Sequence, residues 1–120
     1  RGSFSFLTTG DAEEAANRRF AARFPGAVDV DVLKLGHHGS ADATQPAWLD
    51  ATTPAAAIVS ANGTTHPFPE VIELVQGTRG IALYCTPHHG TVTVRVDAGG
   101  RWRVLTEHDA GRRCEPGSQR

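Results

Sequence analysis

The sequence predicts an α/β domain: a mixed sheet with helices on one face, closing in a β meander. Three observations predict it. Short runs rich in Val, Leu and Ala alternate with Ala/Glu/Arg-rich or Pro-initiated stretches through residues 4–86; the stretch 91–106 then repeats apolar and polar residues with period two; and Gly or Pro stands at most junctions. With 120 residues, 39% of them apolar, the chain suits one domain around one core.

Each element follows from its local pattern. Residues 4–9 are short and β-prone and end at Gly10-Asp11, a strand and a turn. Residues 12–24 are rich in Ala, Glu and Arg, with Phe20 and Phe24 four apart, and stop at Pro25-Gly26; this predicts an amphipathic helix. Residues 28–35 alternate Val28, Val30 and Val32 with Asp29 and Asp31, a strand that delivers Gly36-His37-His38-Gly39-Ser40 to a loop. Residues 44–52 carry Pro46 and Trp48-Leu49, a short helix closed by Pro54. Residues 55–61 are apolar almost throughout, as in a buried strand, and 62–67 are a loop by composition. Residues 69–76 place Val71, Ile72, Leu74 and Val75 on one stripe before Gly77, a helix with its terminator. Residues 81–86 form another strand. Residues 91–96 and 101–106 read as a hairpin about Ala98-Gly99-Gly100, and 107–120 as a polar tail that frays.

Charge is balanced, with 12 basic and 13 acidic residues and a net charge of −1. That excludes the broad positive field of a general nucleic-acid binder and leaves room only for a local patch. No apolar stretch reaches the ~20 residues needed to cross a bilayer, so a soluble domain is expected. Cys85 sits in an apolar run and reads as a buried small hydrophobe, Cys114 in the polar tail as exposed; their spacing matches neither a zinc ribbon nor a disulfide framework. The abrupt start at Arg1-Gly2-Ser3 and the absence of Met suggest a fragment.

The chemistry gathers after successive strands: Asp11 after the first, His37 and His38 after the second, His66 after the third. Loops at strand ends meet at one edge of such sheets, so distance in sequence need not mean distance in space. One carboxylate and three imidazoles suit Zn²⁺ or Mn²⁺, one ion or two. Each residue also has a plainer reading. Asp11 could cap a helix, the His-His pair could be loop residues, His66 could only pack, and Ser40 and Asn62 could serve turns. Pro87-His88-His89-Gly90 reads as a hairpin turn, and His108 as solvent-exposed.

In order, the segments Leu7-Thr8-Thr9-Gly10-Asp11, Asp31-Val32-Leu33-Lys34-Leu35-Gly36-His37-His38-Gly39-Ser40, Ser60-Ala61-Asn62 and His66-Pro67-Phe68-Pro69-Glu70-Val71 resemble the successive signatures T-G-D, D-V-L-K-x-x-H-H-G-S, S-x-x-N (here with one residue fewer between Ser60 and Asn62) and H-P-x-P-E-V. These belong to the C-terminal domain of ComEC-type DNA-internalisation competence proteins, and the likeness runs over residues 4–105. The resemblance implies the second half of a metallo-β-lactamase-type αβ/βα sandwich. It implies Asp11, His37 and His38 as catalytic and, with His66, as metal ligands, and Ser40 and Asn62 as residues that orient a ligand or touch a phosphate. It implies a metal-dependent hydrolase acting on a phosphodiester, a DNA strand, within a polytopic bacterial inner-membrane parent. The family's H-x-H-x-D-H motif belongs to an N-terminal half that this chain does not contain, so the fragment alone is expected to be inactive and to expose an apolar sheet face for that half or for a second copy. Thr64-Thr65 stand where the family often has Tyr-Gly. Alternatives are a standalone metallo-hydrolase of a small ester, lactone or phosphate, and a non-catalytic module that keeps the fold.

Overall fold

The structure, a computed structural model, describes residues 4–118. Four strands, β1 (Phe6–Thr8), β2 (Val32–Lys34), β3 (Ala56–Val59) and β4 (Ala82–Cys85), form a sheet in the order β1-β2-β3-β4, and every pair is parallel. The crossovers contain helices: α1 (Glu14–Arg23) and α2 (Pro25–Val28) before β2, α3 (Pro46–Thr52) before β3, and α4 (Pro69–Gln76) before β4. After β4 a single turn, α5 (Thr86–His89), leads into β5 (Val92–Val96) and β6 (Trp102–Thr106), an antiparallel pair.

The α/β class is as expected, with two corrections to the sheet. It is parallel rather than mixed among the described residues, and the last strands are not one meander: β4 closes the parallel sheet while β5 and β6 pair with each other. The reason lies at Thr86-Pro87-His88-His89. Pro87 sits in the first turn of a helix, where its missing N–H costs nothing, and this turn carries the chain away from β4. A hairpin turn was expected here; the segment is a helical turn instead, and His89 within it is fully buried.

The central strands are buried on both faces, which is why residues 55–61 show no alternation. In β3, Ala57 and Val59 join Leu33, Leu35, Trp48, Leu49, Val71, Ile72 and Val75 in the core under the helices. Ala56 and Ile58 point the other way with Val32, into a second core roofed by Val92, Val94, Trp102 and Val104 of the hairpin. Burying each large aliphatic side chain contributes roughly 1.5–3 kcal/mol, so these two layers supply most of the fold's driving force. The second face, expected to be bare, is thus largely covered by the chain's own β5 and β6.

Helix α1 forms within the expected span, but its buried face is not the one its phenylalanines suggest. Phe20 and Phe24 are 37% and 54% exposed, and the residue buried from this helix is Asn17, whose Nδ2 donates to the Ala43 carbonyl at 3.0 Å. The helix lies against α3 with its small side chains inward, Ala21 packing on the core. Helix α4 spans the residues its pattern predicts, with Val71, Ile72 and Val75 buried and the Gly77 N–H donating to the Glu73 carbonyl.

The tail also differs from expectation. Cys85 is buried as expected, but Cys114 is 3% exposed rather than open to solvent, and the two are bonded in a disulfide that their spacing did not suggest. Residues beyond it run back over the molecule, the Gly117 N–H donating to the Pro67 carbonyl and the Ser118 N–H to the Gly63 carbonyl. No helix among the described residues is long and apolar enough to cross a membrane.

Candidate functional site

Parallel register decides where the chemistry gathers. Thr8, Lys34, Ile58 and Tyr84 stand side by side across the sheet, so the segments after β1, β2, β3 and β4 all leave from one edge. The turn after β1 is closed by the Ala12 N–H donating to the Thr9 carbonyl, and Gly10 then accepts from the His37 N–H at 2.9 Å. This bond joins the turn that bears Asp11 to the histidine loop.

The histidine loop is tightly wound. His37 and His38 both occupy left-handed backbone, with φ of 49° and 58°, and Gly39 follows at φ 83°. A left-handed residue with a Cβ costs roughly 1–2 kcal/mol, and strain of this kind collects at functional loops. Gly39 is compelled twice over: besides its φ, a Cβ there would lie 2.7 Å from Pro67 Cβ and 2.9 Å from Val59 Cγ2. The Ser40 N–H donates to the His37 carbonyl, and the Phe68 N–H to the Gly39 carbonyl, so the two histidine-bearing loops are stitched together.

The third histidine is held by Asn62. Its Oδ1 accepts from the N–H groups of Thr64, Thr65 and His66 at 2.9, 3.0 and 3.2 Å. The His66-Pro67 peptide is cis, and the His66 ring stacks on Phe68 with centroids 5.0 Å apart.

The result is a triangle of imidazoles. Ring centroids are 6.3 Å apart for His37 and His38, 6.3 Å for His37 and His66, and 6.2 Å for His38 and His66. Each Nδ1 has a partner. That of His37 donates to Glu13 Oε2 at 3.2 Å, that of His38 to the Ser60 carbonyl at 2.9 Å, and that of His66 lies 3.0 Å from Thr65 Oγ1. Anchoring one ring nitrogen on a carboxylate, carbonyl or hydroxyl fixes the ring and presents the other nitrogen, the arrangement usual for metal-binding histidines. His38, Ser60, Ala61, Asn62 and His66 line an open depression of about 360 Å³ beside the triangle.

In kind, this donor set fits an imidazole-preferring divalent cation. In spacing it is slightly wide: two imidazoles sharing one Zn²⁺ at about 2.0–2.1 Å bring their centroids to roughly 5–5.5 Å. Asp11 is exposed, and neither the three histidines among themselves nor Asp11 with any two of them form a group whose donor atoms all lie within 4.8 Å of one another. Nor does Asp11 cap α1, whose N-cap is Glu13. The structure therefore brings the rings of His37, His38 and His66 to neighbouring positions without closing them into a ligand cluster, sets Ser40 and Asn62 among the loop-forming residues, and leaves Asp11 apart from any such group. Glu13, which orients the His37 ring, carries no signal in sequence, and the sequence motif that contains Ser60 gives no hint that its carbonyl orients His38.

A second group of ligand types lies deeper. Cys85, His89 and Cys114 are buried, with donor atoms within 4.8 Å of one another. The disulfide removes the thiolates a metal would need. Both His89 nitrogens are occupied as well: Nδ1 accepts from the Cys85 N–H at 2.9 Å and Nε2–H donates to the Arg112 carbonyl at 2.8 Å.

Among known proteins, the chain is 35% identical over 97 residues to ComE operon protein 3 of Bacillus subtilis, covering 78% of this chain and 12% of that protein. It is 31% identical over 102 residues to competence protein ComA of Neisseria gonorrhoeae, 82% of this chain and 15% of that one. It is 45% identical over 67 residues to recombination protein 2 of Haemophilus influenzae, 56% of this chain and 8% of that one. The chain thus spans a small fraction of the length of these relatives. No family model and no solved structure matches it.

Proposed function

The chain is homologous, over most of its length, to one segment of the ComEC-type competence proteins, and from that premise we propose that it is the second half of a metal-dependent hydrolase domain of metallo-β-lactamase type, serving DNA uptake by cutting a phosphodiester strand. The observation that carries this reading is the meeting of His37, His38 and His66, borne on two loops at one sheet edge, with every Nδ1 held by a protein partner. In this reading the three imidazoles, drawn closer and joined by the Asp11 carboxylate, would hold Zn²⁺ or Mn²⁺ together with ligands from an N-terminal half. A divalent cation there supplies Lewis acidity towards a phosphoryl oxygen. The protein's own part is to fix the rings. Glu13 and Ser60 set the orientations of His37 and His38, Asn62 sets the loop of His66, and the linked loops hold the three at a common depression.

A phosphodiester substrate calls for local positive charge in a chain whose total is −1. Arg95 and Arg103 supply a candidate: they face one another across the β5–β6 pair, both exposed. Like charges directly opposite in a ladder are unfavourable unless an anion lies between them. The width of the triangle favours a second reading, a module that keeps the fold without binding metal.

Calorimetric titration of the chain with Zn²⁺ and with Mn²⁺ separates the two. Weak binding, no tighter than about micromolar, that falls at least roughly tenfold in His37→Ala and again in His66→Ala supports the hydrolase half. Heat changes identical in the parent and both variants would leave the non-catalytic module.

A further inference from the structure

The loop that bears Asn62 and His66 is gripped from both sides, and one covalent bond joins the two grips. On the first side, Thr86 Oγ1 accepts from the Ala61 N–H at 3.1 Å and donates to the Ala61 carbonyl at 3.3 Å. Pro87 packs there too, so closely that a Cβ on Gly63 would lie 3.1 Å from its Cβ. On the second side the chain beyond Cys114 crosses the loop. The Gly117 N–H donates to the Pro67 carbonyl at 3.0 Å and the Ser118 N–H to the Gly63 carbonyl at 3.1 Å. Gly117 is buried, and a Cβ at this position would stand 2.4 Å from the Thr64 carbonyl oxygen. Cys85, just before Thr86, is bonded to Cys114, and the Arg112 carbonyl is further pinned by His89 Nε2–H.

Magnitudes show why the covalent bond matters. Fixing a residue's backbone costs roughly 1–2 kcal/mol, while a net hydrogen bond returns about 1. Residues 114–118 form no helix or strand and make two backbone hydrogen bonds to the loop, so those bonds alone do not hold the segment down. The crosslink fixes Cys114, so only the few residues after it remain to be ordered and they start beside the loop.

We propose that residues 114–118 are a disulfide-anchored strap that positions His66, with Gly117 as its positioning residue. The placement of the loop is independent of any metal; only its consequence for cation binding rests on the hydrolase reading.

The test uses the 120-residue chain, Gly117→Ala, and a chain ended after Glu115; the last two keep the disulfide, and Cys85→Ser/Cys114→Ser is a third, harsher variant. Amide hydrogen exchange and the NMR signals of the His66 ring are recorded for all. The strap predicts that amides of Thr64, Thr65, His66 and Phe68 exchange roughly tenfold faster in the first two variants, that the His66 ring signals move, and that amides of β2 and β3 keep their rates. Loop rates within about twofold of the parent with unmoved His66 signals would overturn it, as would a matching acceleration in β2 and β3, which would mark the tail as a general staple. A parallel Zn²⁺ titration keeps the two ideas apart. A loosened loop with unchanged affinity leaves the strap standing and removes His66 from the metal site.

Discussion

Gly39 is the residue on which the two histidine loops close, because its backbone lies where no side chain fits. Gly39→Ala must move Pro67 or Val59 and also hold an alanine at φ 83°. The expected loss is about 2–3 kcal/mol, read as a lower urea midpoint with an unchanged slope. A midpoint within error of the parent would show that the loop relaxes freely. At this scale the sequence was informative about chemistry and silent about orientation. His37, His38 and His66 were legible because Gly, Ser and Pro frame them in ordered motifs. The ring-orienting roles of Glu13 and of the Ser60 carbonyl were not, since a ring's partner is chosen by tertiary approach over 24 and 22 residues. The pairing of Cys85 with Cys114 was missed for the same reason: two isolated cysteines 29 residues apart form no framework, and only the returning tail brings them together.

The β5–β6 hairpin is an element whose two ends are tied by carboxylates. Asp97 Oδ1 accepts from the N–H groups of Gly99 and Arg101 at the turn, and Glu107 Oε1 accepts from the Thr91 N–H at the open end. The backbone and side-chain N–H groups of Arg101 hold the Asp97 carboxyl below its ordinary value; the Thr91 N–H, helped by the charge of His108, does the same for Glu107. A depressed folded value means that the stabilisation is complete above the unfolded value near 4 and is lost as pH falls through the folded one. Both carboxylates are exposed, so the effect is small and local. Acid titration followed by NMR should shift the amides of Thr91, Gly99 and Arg101 with midpoints below those of ordinary carboxyls, and Asp97→Asn should abolish the response at the turn alone. Midpoints at ordinary values would refute it. Among the helices, α3 and α4 were legible because Pro opens them and apolar stripes fill them. Helix α1 was legible as a helix, but its buried face was not, because close packing against α3 selects small residues and a hydrogen-bonded Asn17 over the conspicuous Phe20 and Phe24. The meander was misread because Thr86-Pro87 starts a helical turn as well as it could close a hairpin.

For the whole molecule, the division of each central strand between two cores explains how a chain of this length has both sheet faces occupied. The covering stops short at β1, an outer strand whose Phe6 is 46% exposed on the hairpin side. An outer strand with an exposed aromatic invites another chain. Self-association through this edge is therefore expected: sedimentation velocity at increasing concentration should show a dimer, and Phe6→Ser should return a monomer. A monomer at every concentration in the parent would rule this out. The α/β class was legible from alternation, whereas the strictly parallel sheet depended on how 86–91 turns, which no local pattern decided.

The crosslink between Cys85 and Cys114 carries a consequence for where the molecule takes its finished shape. Such bonds form and last in oxidising surroundings such as the periplasm or the cell exterior, while cytosolic glutathione and thioredoxin keep thiols reduced. The compartment in which the domain resides thus decides which species is present: a latched one with its C-terminal end fastened, or an unlatched one with two free thiols and His66 on a looser tether.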